Sequence, residues 1–319
     1  MSRSRLFILP LLILVAGLSI TWTAWEHERQ VVRNETKSQF DFALREAAGR
    51  VEQRMAAYEQ MLRGVQGLFA ATGEVSRKNF RDYVAALNFD ANFSGIQAIG
   101  IDEWVPAERK DAHIAAMRQQ GFPDYAILPD GAREDYAPIV QREPYIGRNR
   151  SPFGFDHWSE PTRRKAMEKA RDSGMPTVSG KVQLKLTGDM NSYPSFIMYL
   201  PIYADGMPQA TVGERRSNLI GWVHASFRMH DVIASLYGDQ PFGLAFAIYD
   251  GVEPTPAALL YQSVIPDLRR NEDAITGTEY LVVGGHNWTL SMRTMDAFDA
   301  HFRRNAESLI AVTGIGLSL

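Results

Sequence analysis

The sequence predicts an α+β fold: an N-terminal transmembrane helix, a long stalk helix, then two domains built on antiparallel sheets. Leu6 to Trp25 holds twenty residues without Asp, Glu, Lys or Arg, which as helix matches ~30 Å of hydrocarbon at about 1.5 Å per residue. Residues 26–72 contain no proline and repeat apolar or small side chains at steps of three and four, the signature of one helix face. Beyond Gly73, short apolar runs alternate with helical patterns and turn residues.

Arg3 and Arg5 precede the uncharged run, so residues 1–5 are expected in the cytoplasm and the helix at 6–25 in the membrane. Trp22 and Trp25 sit where an interfacial aromatic belt belongs. A cleaved signal peptide is the alternative, but its apolar core is usually shorter and Trp22 is bulky for a cleavage site. Ser308 to Leu319 is again uncharged; it reads as the start of a second span or as a buried terminal helix. Residues 26–307 then lie outside the cytoplasm, in the periplasm of a bacterial inner membrane.

The stalk, residues 26–72, carries its apolar seam on Leu44, Ala47, Val51, Met55, Tyr58, Leu62, Val65 and Phe69. Val51, Tyr58 and Val65 recur every seven residues, the coiled-coil period, so a parallel homodimer through this helix is expected. The alternative partner for the seam is the chain's own domain. Gly73 ends the helix and Ser76 caps the next. A strand at 95–105, a helix at 106–120, and strands at 125–128 and 136–142 around Asp130-Gly131 follow. Residues 159–173 form a helix with Ser159 at its cap, Pro161 in its first turn and Gly174 past its end. Strands at 177–186 and 195–203, a polar loop at 204–217 and a strand at 218–227 complete a domain over 73–228, and a connector helix follows at 229–237. Four short strands between 243 and 292 form a smaller domain over 229–300. Residues 301–319 are the return helix and truncated second span.

With 34 basic and 37 acidic residues, net charge −3, and no cysteine, the chain is no wholesale nucleic-acid binder and has no disulfide framework or cysteine-based metal site. Seven histidines are scattered, without a His-Glu-x-x-His pair; His224 and His230 are too far apart to favour a metal pair. No nucleophile elbow or dinucleotide fingerprint occurs. No cofactor, metal or catalytic residue is therefore expected. Phe153 to Trp158 sets aromatic rings beside Asp156 just before a helix; Phe155 and Asp156 either line a ligand pocket or serve as core and turn brace. From Arg142 to Lys185 ten basic residues face five acidic ones. Such a stretch suits an anionic small molecule; the alternative is a solvated helix face balanced by Glu160, Glu168 and Asp172.

Several segments, in order, resemble the CHASE family, extracytoplasmic sensory domains of membrane histidine kinases and nucleotide cyclases. They are Leu62 to Phe69, Ile99-Gly100-Ile101, Trp104-Val105-Pro106, Glu108-Arg109, Gly121-Phe122, Tyr136 to Val140, Gly154-Phe155-Asp156, Lys169 to Gly174 and Leu200 to Tyr203. The resemblance implies two PAS-like domains after the stalk, with the ligand pocket in the membrane-distal one. It also implies that the protein relays a signal to a cytoplasmic histidine kinase, diguanylate cyclase or adenylate cyclase. Plant members of the family bind cytokinins through an acidic residue on the pocket helix and two threonines. Those positions are Arg163, Tyr199 and Ser179 here, which argues against a cytokinin and for an anion held by Arg163, with Lys185 and Tyr199 as helpers. A secreted or anchored enzyme and a ligand-free structural membrane protein are the rival readings.

Overall fold

A computed structural model describes residues 5–73, 75–89, 93–145, 153–184, 193–237, 243–263, 274–296 and 298. Helix α1, Arg5–Thr72, joins the predicted span and stalk in one continuous element. The side chains of residues 6–16, 18 and 21 fall outside the described ones, and among those described no helix is long and apolar enough to cross a membrane. The return helix and second span expected at 301–319 also lie outside the described residues, as does Lys185. Gly73 stops α1 in the left-handed region, φ 69°, with its amide bonded to Phe69 O at 2.8 Å. Helix α2, Arg77–Leu87, starts under the Ser76 hydroxyl, which accepts from Asn79 N.

Two antiparallel sheets follow. The first contains β1, Ile96–Glu103; β4, Ile139–Glu143; β5, Thr177–Val178; β6, Val182–Gln183; β7, Pro194–Tyr203; and β8, Leu219–Arg228. Its order is β4-β1-β8-β7-β5, with β6 also on β7. Between β1 and β4 lie the short pair β2, Val105–Pro106, and β3, Asp135–Tyr136, and helix α3, Lys110–Gln119. Helix α4, Pro161–Ser173, covers one face; α5, Val212–Ser217, and α6, Met229–Tyr237, flank β8 in sequence. The second sheet contains β9, Leu244–Asp250; β10, Leu259–Gln262; β11, Thr276–Val283; and β12, His286–Thr294, in the order β10-β9-β12-β11.

Alternation decides what each face of the first sheet meets. Ile99, Ile101, Phe196, Met198, Leu200, Val223, Ala225 and Phe227 join the core that α1 packs against. Tyr199, Ile197 and Trp222 face α4 and its Met167 and Ala170. The stalk seam is consumed by this arrangement. Phe40, Leu44, Val51, Tyr58, Leu62 and Val65 are all buried within one chain. At Gly277 of β11 an added Cβ would lie 2.7 Å from Leu44 and 2.8 Å from Phe40, so helix and second sheet touch closely. The seam thus packs on the chain's own sheets, the alternative partner that the sequence allows for it.

Some local expectations need correction. Ser159 does not cap α4, because its hydroxyl donates to Asp156 O at 2.6 Å; the longer Glu160 side chain reaches the amides of Thr162 and Arg163, both at 3.0 Å. Residues 125–128 form no strand beyond one bridge from Leu128 to Phe155. The strand expected at 177–186 breaks at Ser179–Lys181, where Ser179 Oγ accepts from Ile197 N and Lys181 N donates to Asp250 of the second sheet. The polar loop at 204–217 contains α5, started by a reciprocal Thr211–Glu214 capping box.

Candidate functional site

The face of the first sheet beneath α4 carries a buried polar cluster. Its scaffold is a row of residues paired across four strands. Arg142 on β4 lies opposite Gly100 on β1, Gly100 opposite His224 on β8, and His224 opposite Tyr199 on β7. Two residues along β1, Asp102 points to the same face. His157, in the 3-10 turn His157–Ser159 before α4, and Arg163 on α4 close the cluster from above. All six side chains are buried.

Asp102 is the hub. His224 Nδ1 lies 2.8 Å from its Oδ2, and His157 Nδ1 lies 3.2 Å from Oδ1 and 3.3 Å from Oδ2. Burial alone would raise the Asp102 carboxyl, and His157 and His224 more than reverse this, holding it below the usual carboxylate range. Burial pushes His157 down, to about 3, against the pull of Asp102. At neutral pH, Asp102 is thus the ionised partner and His157 donates to it as a neutral ring. Tyr199 Oη stands 3.2 Å from the same Nδ1, and burial holds its phenol far above the usual range. Arg142 donates through Nη2 to Ser226 Oγ at 3.1 Å; burial lowers it to about 10, still cationic. Arg163 stacks on Phe155 at 5.0 Å, donates to Gln183 O at 3.2 Å and has Glu160 3.6 Å from Nε.

Gly100 makes the arrangement possible. A Cβ there would lie 2.5 Å from His224 Cε1, 2.7 Å from Nε2 and 2.8 Å from the Gln141 carbonyl oxygen. The imidazole therefore occupies space that any other residue would fill.

The expected site residues fall into two groups. Arg163, Tyr199 and Phe155 belong to the cluster. Asp156 and Ser179 serve the backbone. Asp156 Oδ1 accepts from the amides of Ala137 and Trp158 and its Oδ2 from Arg133 Nε at 3.0 Å; burial still leaves its carboxyl raised, despite these partners. Ser179 Oγ accepts from Ile197 N and donates to Gly180 O. Asp102 was not singled out by the sequence; Arg142 and His157 figured there only within a basic stretch and an aromatic run, and His224 only in an unfavoured pair with His230.

Donor atoms of Asp102, His157 and His224 lie within 4.8 Å of one another, close enough for one divalent ion. Arg142 and Arg163 place two positive charges in the same buried layer, which opposes a dication there. A separate cleft of about 670 Å³ opens on the other side of the sheet, between Phe69 and Gly73 of the stalk end, Arg77, Glu103 and Met117.

The domain model described as CHASE matches residues 73–261, from the end of α1 into β10. This chain belongs to the CHASE domain family. CHASE membership supports an extracytoplasmic sensory role. The matched stretch contains every member of the buried cluster and leaves α1 outside it. No curated protein matches the chain. Among solved structures, it is similar to an extracellular ligand binding receptor from Desulfohalobium retbaense, at 12% identity and a TM-score of 0.49 over 80% of this chain. The chain spans 40% of that receptor's length. It is also similar to the periplasmic sensory domain of the Campylobacter jejuni chemoreceptor Tlp1, at 12% identity and a TM-score of 0.45, over 83% of this chain and 93% of that one.

Proposed function

We propose that this CHASE chain is the small-molecule-sensing region of a transmembrane receptor that signals to a cytoplasmic histidine kinase or nucleotide cyclase. The observation that carries the reading is the buried polar layer between the first sheet and α4. A layer of charges closed off from water is an expensive way to fill a core and a direct way to build a recognition site.

The contacts around this layer offer a route to the membrane. Lys169 of α4 donates to Gly285 O, Val178 N donates to Gly284 O at 3.2 Å, and Lys181 N donates to Asp250 Oδ2 at 2.7 Å. Asp250 Oδ1 also pairs with His286 Nε2 at 2.5 Å. Ligand bound beneath α4 would press on these contacts, and the second sheet in turn rests on α1 at Gly277. A ligand can move the receptor between two arrangements only by binding one more tightly than the other.

A thermal-shift screen of the purified chain against small metabolites tests this. At least one compound should raise Tm, and His224→Ala should abolish that response; no stabilising compound, or a response indifferent to His224, would overturn the reading. Reporter fusions near Arg150 should report an extracytoplasmic position, and a cytoplasmic signal there would contradict it.

A further inference from the structure

Four polar atoms of the layer have no hydrogen-bond partner among the described residues. One is an acceptor, Asp102 Oδ1, which has His157 Nδ1 3.2 Å away as an ion pair; the other three are Arg142 Nε, Arg163 Nε and His224 Nε2. Their residues are 4%, 6% and 0% exposed. A buried donor or acceptor left unpaired is costly, more so when charged, so three in one layer call for a common cause. They come from three elements, β4, α4 and β8. Gly100, with no side chain, separates Arg142 from His224 in the paired row. Arg163 stacks on Phe155 at 5.0 Å, and Phe155 meets His157 edge-on at 5.8 Å, which places Arg163 in the same layer.

With its Nδ1 proton on Asp102, the neutral His224 ring leaves Nε2 as an acceptor, so the unpaired donors among these atoms are Arg142 Nε and Arg163 Nε. A third donor follows from the hydrogen bonds already described. The single His157 Nδ1 proton is directed at ionised Asp102 and also faces the Tyr199 oxygen. Tyr199 is then an acceptor from His157, and its own phenol proton is free for another partner. Charge sets the kind of partner. Two guanidinium groups face one carboxylate, Asp102, leaving one positive charge in surplus. Asp156 is matched by Arg133. Glu160, 36% exposed, lies 3.6 Å from Arg163 Nε and also acts on Tyr199; water weakens its charge, so it offsets the surplus only in part.

We propose that Arg142, Arg163 and Tyr199 grip a small monocarboxylate on this face. This rests on the sensing reading and names its ligand class. One carboxylate gives the guanidinium N–H groups and the phenol the acceptors they lack. It also neutralises the surplus charge. A dianion such as phosphate would overshoot that balance, and a divalent cation on Asp102, His157 and His224 would add two positive charges to a layer already in surplus.

Calorimetric titration of the full chain with acetate, lactate, benzoate, inorganic phosphate, choline, glycerol and zinc chloride separates these cases. At least one monocarboxylate should bind, and Arg142→Ala and Arg163→Ala should each weaken it about tenfold or more, the loss of a charge-assisted pair. Arg142→Lys and Arg163→Lys, which keep the charge without the planar fork, provide the same reading if an alanine variant does not fold. Binding of only phosphate, choline, glycerol or zinc overturns the proposal, as does monocarboxylate binding that ignores all four variants. A choline or glycerol response lost in His224→Ala would sink the monocarboxylate and leave the sensing reading intact. If no compound in this panel or in the wider metabolite screen binds, both fail.

Discussion

The two faces of the first sheet are made by alternate residues of the same strands, yet they obey different rules. Towards α1, Phe196 stacks on Phe227 with ring centroids 4.8 Å apart, and Tyr58 of the stalk sits 4.7 Å from Phe227. That face is held mainly by close packing, with Tyr58 Oη donating to Ser94 O and one indole N–H, Trp288 Nε1 beside Phe196, without a partner among the described residues. Towards α4, the same strands present Asp102, Tyr199, His224 and Ser226, with Arg142 and Arg163 beside them. There Ile197 and Trp222 behave as ordinary core, the Trp222 indole donating to Met167 O at 3.1 Å. The α1 face is close-packed and apolar; the α4 face buries charges, which is costly unless each is paired.

The largest expected effect therefore lies on the α1 face. Phe227→Ala removes a ring packed between Phe196 and Tyr58, and such truncations cost about 3–5 kcal/mol. Denaturant unfolding should show a loss of this size with the secondary structure unchanged. A loss under about 1 kcal/mol would mean that the faces do not differ as described.

Asp102→Ala comes next. It leaves the Nδ1 groups of His157 and His224 buried without their acceptor. Two hydrogen bonds to a charged group vanish, and a loss of about 3 kcal/mol is expected. Unlike Phe227→Ala, this variant should also change how stability depends on pH. In the folded chain burial holds His157 neutral down to about 3, whereas an unfolded histidine titrates near about 6.5. Between those values the unfolded chain takes up a proton that the fold refuses. Stability should therefore be level above about pH 6.5 and fall as pH drops, by up to about 1.4 kcal/mol per pH unit. Asp102, held below its ordinary range, adds to the loss only below about pH 3.9. Unfolding curves at pH 7, 6 and 5 should show the decline, and His157→Gln should flatten it; an equal slope in that variant would assign the titration elsewhere.

The two faces also differ in how visible they were in the sequence. Apolar alternation and glycine or proline punctuation exposed β1, β7, β8 and the second sheet, and the seam of α1 was legible residue by residue. Its partner was not, because Val51, Tyr58 and Val65 fit a second helix as well as two sheets. Local competition misled the cap of α4, where Ser159 and Glu160 are both capable and only the structure shows that the serine is engaged by Asp156 O. On the α4 face Phe155, Arg163 and Tyr199 were expected, but the hub stayed hidden because its members are non-local: Asp102 meets His157 and His224 across 55 and 122 residues of chain. A signal did exist. Asp102 and His224 each stand inside a strand otherwise apolar enough to be buried, and Gly100 weakens a strand interior with no turn to serve. Read together, a buried acid, a buried histidine and a strand glycine mark a close approach of side chains.

The smallest expected effect has the opposite sign, and it sharpens the contrast most. Arg142→Met replaces a buried cation by an apolar side chain of similar length. Its hydrogen bond to Ser226 is lost, and Ser226 Oγ keeps Ala98 O at 3.4 Å as a partner. The surplus positive charge of the layer disappears, because Arg163 and Asp102 then balance, and the unpartnered Nε goes with it. Exchanging buried charges for well-packed apolar groups is often neutral or stabilising, so the ligand-free protein should gain about 0–1 kcal/mol in denaturant unfolding. A comparable change on the α1 face has no such reserve to release. If Arg142→Met instead destabilises by as much as Asp102→Ala, Arg142 is a structural counter-ion of Asp102, and the α4 face is a core that happens to be polar.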